Sequence, residues 1–519
     1  MNYELIILMV LPIALALPMY MVGRKNTSLA KWLTTLIIGS TTFYSMWLWV
    51  KHFAGNAIIY NSDDGEAGFK MLYKAEWIPD LGVKFAVGAD GLSMPLIVLT
   101  QVVFLVSVVS SFYVKDQEAT YYALILVLNS AVIGTFVALD LLLFYIAWEL
   151  VLVPMFFLIH IWGGDNRKYA AIKFFIYTHL ASLVMLIGLF YIYIEGGSTF
   201  YLPDLKDNFT NGSISFGTIS LIFWLVFIGF VTKFPQVPVH TWLPDAHVQA
   251  PSPGSAILAG LLLKMGGYGL MRVGFWLLAG AQEDGEYFFD SAEGERIRII
   301  IAIVGVVSMV YPAFVALRQD DLKRMIAYSS ISHMGIVLLG LAAYNTNGFN
   351  AAMFMMIAHG VISPALFLLS GVIEHNTKSH TRLMSKVGGL GHKMPFVTGL
   401  FVFMGFASAG LPGLAGFVAE FAAFLGMFES ELLTDGIHLW IPVIAVMSII
   451  VTAGYYLWAI QKVLFNEPTG ELDNAEIAKW WETGPILVLA IFTLVLGLYP
   501  KLVYGTLDDW SNSIPGLQP

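Results

Sequence analysis

Long apolar runs, each closed by a short polar stretch, follow one another over the whole chain. A helix needs about 20 apolar residues to cross ~30 Å of hydrocarbon. On that ruler the sequence predicts spans at 3–22, 32–53, 92–114, 121–139, 141–162, 171–195, 216–233, 252–279, 298–317, 324–343, 349–373, 395–428, 440–464 and 484–503, about fourteen in all. The expected fold class is an all-α polytopic membrane protein. The first span does not read as a cleavable signal: it opens on Glu4 rather than a basic stretch, and Gly23-Arg24-Lys25 follows without a small-residue cleavage site.

Two spans carry breaks. Span 216–233 runs into Lys233-Phe234-Pro235-Gln236-Val237-Pro238, and span 395–428 contains Gly410-Leu411-Pro412-Gly413 and Gly416. Proline removes a donor and glycine loosens a helix. Inside lipid, the freed groups must face protein or a wet cavity. Paired interruptions in two halves point to an inverted-repeat transporter. Segments 121–279 and 296–464 each hold five spans, with the break in the fourth of each. Five is odd, so consecutive units have opposite orientation. The expected organisation is 1–120 (three spans and an acidic loop over 54–88), two five-helix repeats at 121–279 and 296–464, and 465–519 (the last span and a tail).

Composition sharpens this. Of 519 residues, 58% are hydrophobic and 12% are Asp, Glu, Lys or Arg, about half the charge of a soluble domain. A soluble enzyme, a disordered chain and a nucleic-acid binder, which needs a basic face, are excluded; the net charge of −9 agrees on the last. With no Cys, the chain offers no disulfide, thiolate zinc site or cysteine-ligated iron–sulfur cluster.

The loop charges predict orientation. Alternate loops carry Arg24, Lys25 and Lys31; Lys115; Arg167, Lys168 and Lys173; Arg318, Lys323 and Arg324; Lys378, Arg382, Lys386 and Lys393; and Lys462. The others are dominated by Asp63, Asp64, Glu66, Glu76 and Asp80; Asp204 and Asp207; Glu283 to Glu295; and Glu429, Glu431 and Asp435. The positive-inside rule makes the first set cytoplasmic and both termini external.

A few charges remain inside the spans, where Lys or Asp costs about 2.5–3.5 kcal/mol at a helix centre. Such residues are functional candidates by default. Glu149 sits mid-span; the alternative is a carboxyl satisfied by a neighbouring helix. Lys233 stands just before the first break, where an approaching carboxylate could load and unload its proton; the alternatives are a static ion pair with Glu149 or snorkelling. Lys264 is too deep for easy snorkelling, and its flanking Gly266 and Gly267 admit close packing or water. Glu420 follows the second break, the counterpart of Lys233 with opposite charge. His333 and His359 lie in adjacent spans and suit a relay. Hydrogen-bonded core histidines are the plainer reading of both, and a bis-histidine haem has no specific signal. His240, Asp245 and His247 flank the first break and read first as caps and loop anchors. Asp140 reads as an interfacial cap. No P-loop, dinucleotide fingerprint or H-E-x-x-H motif is present, so energy must come from an ion gradient or from partner subunits.

The stretch His240-Thr241-Trp242-Leu243-Pro244-Asp245-Ala246-His247, continuing Ala250-Pro251-Ser252-Pro253-Gly254-Ser255 and Leu263-Lys264-Met265-Gly266-Gly267-Tyr268-Gly269, resembles the signature of the antiporter-like subunits of respiratory complex I. Ala327-Tyr328-Ser329-Ser330-Ile331-Ser332-His333-Met334-Gly335 is similar to a second family signature. The resemblance runs from about the third span through the thirteenth. Three paralogues share this fold with the large subunits of multisubunit sodium/proton antiporters. Glu420, where other members usually carry lysine, narrows the resemblance to one of the three. The short stretch after the last span leaves no room for the lateral helix of the longest.

The resemblance implies roles. Glu149 would pair with Lys233 and tune its hold on a proton. Lys264 would carry protons along a hydrated axis, and His333 and His359 would link that axis to Glu420, nearest the exit. Pumping would be driven by quinone reduction in distant subunits. Quinone, iron–sulfur clusters and flavin would belong to partners, and no cofactor to this chain. Related complexes draw electrons from NADH, reduced ferredoxin or reduced deazaflavin through peripheral subunits. The expected partners are other antiporter-like and small membrane subunits in a hetero-oligomer. The expected location is the energy-transducing membrane, the prokaryotic plasma membrane. Two other readings stay open: a secondary sodium/proton antiporter subunit, and a non-transporting scaffold.

Overall fold

The computed structural model describes residues 2–53, 68–212, 214–433, 438–472 and 478–517. Helices α1 (Glu4–Gly23) and α2 (Thr27–His52) lead to a hairpin of β1 (Lys70–Ile78) and β2 (Val83–Ala89) and then α3 (Ser93–Ser110). The first half continues with α4 (Glu118–Val137), α5 (Leu141–Leu150), α6 (Leu152–Trp162), α7 (Arg167–Glu195), short α8 (Leu202–Asn211), α9 (Phe216–Lys233) and α10 (Trp242–Gln249). One irregular rod follows: α11 (Ser252–Ile257), a π-helical stretch (Leu258–Leu262), α12 (Leu263–Gly269), a second π-helical stretch (Leu270–Leu277) and a 3-10 turn (Leu278–Gly280). A small hairpin, β3 (Gln282–Glu283) and β4 (Glu286–Tyr287), leads into α13 (Ala292–Leu317), α14 (Leu322–Ala343) and α15 (Thr346–Asn376). Short α16 (Leu390–Lys393) precedes α17 (Pro395–Ser408), α18 (Ala415–Phe428), α19 (Trp440–Ile460), α20 (Trp480–Leu498) and α21 (Lys501–Ser511).

Among the described residues, twelve helices are long and apolar enough to cross a membrane. Two predicted spans are not among them. Segment 32–53 is helical within α2 but polar, with buried Thr34, Thr41, Thr42 and Ser45. Segment 395–428 is divided into α17 and α18, each shorter than a full span. Gly410 (φ 76°) and Gly413 (φ 91°) flank Pro412 there, in a backbone region that only glycine adopts freely.

The helical architecture is as expected, and strands occur only in two loops among the described residues: the β3–β4 hairpin, and 70–89, an antiparallel hairpin turned by Pro79-Asp80-Leu81 with Gly82 at φ 63°. The predicted loop acids Asp63, Asp64, Glu66 and Asp435 lie outside the described residues. Two irregularities were not expected from sequence. Span 141–162 is jointed at Val151, beside Glu149, because Pro154 cannot donate to the Leu150 carbonyl. The Lys264 rod is π-helical on both sides of α12, a form that recurs at functional sites.

Burial separates inner from outer helices. Rod 252–280 and α15 between Gly348 and Ile373 are wholly enclosed by protein, and α14 nearly so; α1, α7, α19 and α20 turn apolar side chains such as Leu17, Leu180, Ile450 and Leu498 outward. Small residues bring the inner helices close. A Cβ added to Gly335 would lie 2.7 Å from the Gly305 carbonyl, and one on Gly260 would lie 2.8 Å from Pro364 Cγ. Lys264, His333 and His359 are thus carried by the three innermost elements.

Candidate functional site

Helix α5 ends at the Pro154 joint, and Glu149 projects from its last turn. Its partners are on α7: His179 Nδ1 lies 2.8 Å from Oε2, and the Ser182 hydroxyl donates to Oε1. The 179/182 spacing puts both on one helical face. Among the described residues, the ion-pair partner of Glu149 within 4.0 Å is His179 and not Lys233. The mid-span histidine was the available signal for this partner.

Lys233 closes α9 and is buried. Its ammonium donates to the Trp148 carbonyl at 3.0 Å and lies 3.9 Å from the centre of the Trp148 ring. The residue next to Glu149 therefore carries both contacts. Beyond Lys233 the break is stitched by Trp242 Nε1, which donates to the Thr232 carbonyl at 2.8 Å, and by Ser308, whose hydroxyl accepts from the Val237 N–H at 2.9 Å. Buried groups freed by a break need such partners.

Lys264 is completely buried and donates to the Ala259 carbonyl (2.6 Å), five residues back across the π-helical stretch. Its second acceptor is His359 Nδ1, also at 2.6 Å. Gly266 packs tightly on α9: a Cβ there would lie 2.6 Å from the Phe230 carbonyl. The His359 and His333 ring centres are 5.6 Å apart. His333 places Nδ1 2.7 Å from the Ser329 carbonyl and Nε2 2.9 Å from the Ser408 carbonyl. A neutral ring has one N–H and fills half of this acceptor set; an imidazolium fills all of it. With both nitrogens engaged, His333 has none to offer a haem iron. Tyr456 joins Ser329 (2.9 Å) to Ser408 (2.8 Å) and fixes the ends of this site.

Glu420 lies 3.8 Å from His333 Nε2 and is buried. The second break makes room for it: a side chain on Gly410 would overlap its carboxylate. A lateral cavity of about 370 Å³ opens beside it, lined by Phe417, Phe421, Phe424, Phe428, Val446 and Ile449.

The accessory candidates divide. Asp245 is an anchor, held by Lys173 (2.7 Å) from α7 and Arg324 (3.0 Å) from α14. His240 meets the Tyr311 ring, with its Nδ1 unpartnered. His247 is fully buried and caps nothing; it stacks on Phe367 at 4.3 Å with both ring nitrogens unpartnered. Asp140 is a cap, accepting from the Leu142 and Leu143 N–H groups. Two ion pairs were not expected: the buried Arg272–Asp90 (2.7 Å) and the half-buried Lys323–Glu374 (3.3 Å).

Buried ionisable groups aligned through a helical membrane bundle, beside two broken helices, define a multi-pass ion-translocating membrane subunit. The chain belongs to the NADH:quinone oxidoreductase/Mrp antiporter transmembrane family, whose profile matches residues 138–452. It is 40% identical to the F(420)H(2) dehydrogenase subunit M of Methanosarcina mazei over 88% of this chain and 89% of the relative. It is 38% identical to the NADH-quinone oxidoreductase subunit M of Rhodobacter capsulatus over 85% of this chain and 83% of that one. A chain of respiratory complex I from Thermus thermophilus superposes with a TM-score of 0.83 at 25% identity, covering 99% of this chain and 100% of that one. Subunit M is also the paralogue to which Glu420 narrows the sequence.

Proposed function

We propose that the chain is a proton-translocating membrane-arm subunit of a redox-driven complex of the NADH–quinone oxidoreductase type. One observation carries the reading: Lys264, His359, His333 and Glu420 form a buried row with gaps of 2.6 Å, 5.6 Å between rings, and 3.8 Å. Each member can hold or release a proton, and the spacing lets a side-chain shift or one water close each gap. Lys233 and Glu149 form the other end, linked through Trp148 and set by His179. The chain carries the proton path; quinone, iron–sulfur and flavin chemistry belong to partners.

The twelve long spans, α2 and the divided α17–α18 make fourteen crossings. Regions 121–279 and 296–464 are the two inverted five-helix repeats, flanked by 1–120 and 465–519. The basic loops lie in the cytoplasm and both termini lie outside the plasma membrane.

The test is purification of the chain with whatever it assembles with. Recovery with an iron–sulfur peripheral arm, and proton uptake into vesicles only when donor and quinone are supplied, is the expected result. Sodium/proton exchange driven by an imposed gradient, with no redox module present, would overturn it in favour of an antiporter. Normal pumping by a Glu420→Ala complex would overturn it in favour of a scaffold.

A further inference from the structure

Basic loops from three parts of the sequence meet around a cavity of about 880 Å³, with Lys115, Arg167 and Lys168 at its exposed rim. Lys323, Glu374 and Arg382 line its deeper part. The Glu374 side chain is 21% exposed and that of Lys323 3%, so the carboxylate stands between the cavity and the lysine. Arg382 Nη1 donates to Glu374 at 2.6 Å and Nε donates to Asp321 at 2.9 Å. The same two cations hold the backbone just past His247. Arg382 Nη2 donates to the Val248 carbonyl at 3.1 Å, and Lys323 donates to the Ala250 carbonyl at 3.2 Å. Cations are favoured at such a helix C-terminus. Glu374 on the second half therefore governs two contacts to the short helix that follows the first break.

Helix α15 leads from this cluster to the buried row. At 3.6 residues per turn, His359, Ser363, Phe367, Ser370 and Glu374 share a stripe about 80° wide and about 22 Å long. Ser363 meets Ser330 at 3.1 Å, and Phe367 carries the stacked, unpartnered His247 ring. Every turn of the stripe up to Phe367 thus faces a polar or titratable group.

We propose that Glu374 takes protons from the cavity and passes them by way of His247 to the Lys264–His359 pair. This rests on the proton-pumping reading above. A proton from cavity water adds to the carboxylate, while Lys323 and Arg382 keep theirs. The neutral acid weakens the hold of Glu374 on both cations and frees α10 to bring His247 forward. His247 accepts the proton, Glu374 returns to carboxylate, and the clamp re-forms; His247 then gives the proton to the unpartnered Nε2 of His359, which returns His247 to neutral and leaves the Lys264–His359 pair one proton richer.

The experiment uses the whole complex in vesicles. Glu374→Gln should assemble and slow redox-driven proton uptake by ~10-fold or more, the scale on which a positioned acid–base group contributes. A small permeant weak acid such as formic acid should restore several-fold of that loss. Glu374→Asp should retain most of the rate. A full rate in Glu374→Gln, or a slow rate that weak acid does not raise and that Glu374→Asp shares, would mark a structural clamp and overturn the proposal. If Glu374→Gln does not assemble, Lys168→Cys decides. This chain has no native Cys, so a bulky thiol reagent should slow the Lys168→Cys complex and spare the equally treated parent; equal rates would overturn the proposal. Lys233→Ala separates the two readings: if it pumps normally the function proposed above fails, whereas if it fails to pump while both cavity tests are silent only Glu374 is wrong.

Discussion

Replacing His359 with leucine removes one of two acceptors from an ammonium that is wholly enclosed. Lys264 then retains only the Ala259 carbonyl at 2.6 Å. An ammonium has three N–H donors, so two rather than one are left without a partner, and no exposed surface lets water take over. A hydrogen bond to a charged group contributes about 1.5–3 kcal/mol. At 1.36 kcal/mol per decade this is roughly a 10- to 150-fold change. The transfer through Lys264 should slow by that factor, and redox-driven proton uptake by reconstituted complex should follow once this step limits turnover. His359→Gln is the informative companion. Its amide oxygen can accept from Lys264 but cannot relay a proton, so it should restore complex stability without restoring uptake. The assay is fluorescence-reported acidification of proteoliposomes alongside the electron-transfer rate. An assembled His359→Leu complex that pumps within twofold of the parent would show that proton transfer does not depend on this acceptor, and so would a His359→Gln complex that regains full uptake.

Further outcomes follow from the same geometry. His179→Ala leaves Glu149 with Ser182 alone; because the pair is partly exposed, the loss is about 1 kcal/mol, or roughly fivefold in proton uptake, measured against Ser182→Ala. Gly410→Ala forces φ 76° on a residue with a Cβ, which costs about 1–2 kcal/mol, and crowds the Glu420 carboxylate; the complex should melt earlier and pump less. Lys206 lies in α8, outside the spanning helices. Burial and the nearby Arg272 guanidinium lower its pKa to about 8, against the smaller opposing pull of Asp90 and Asp207. Its folded value is below the unfolded one, so the destabilisation is complete below pH 8 and fades as pH rises toward the ordinary lysine value. Thermal stability of the parent should rise between pH 8 and 10 relative to Lys206→Met, whose curve lacks that rise.

Depth and charge made most of the row legible in the sequence. Lys264, His333, His359 and Glu420 stand in long apolar runs, and the structure brings them into one line because their helices are the innermost ones. Both breaks were legible as well, since proline and glycine act locally. Partner choice was not. Glu149 bonds to His179 on the next span, α7, a contact set by how two neighbouring spans pack, which residue spacing does not reveal. The π-helical stretches beside Lys264 have no compositional mark. Lys323 and Arg382 read as ordinary loop cations until the fold placed Glu374 between them.

If buried charge in this chain moves protons during electron transfer, removing one such charge lowers the number of protons moved per electron. The measurement is the proton-to-electron ratio of the reconstituted complex carrying Lys233→Ala or Glu149→Ala. Assembly with electron transfer retained and the ratio clearly reduced is the predicted result, and an undiminished ratio in both variants would contradict it.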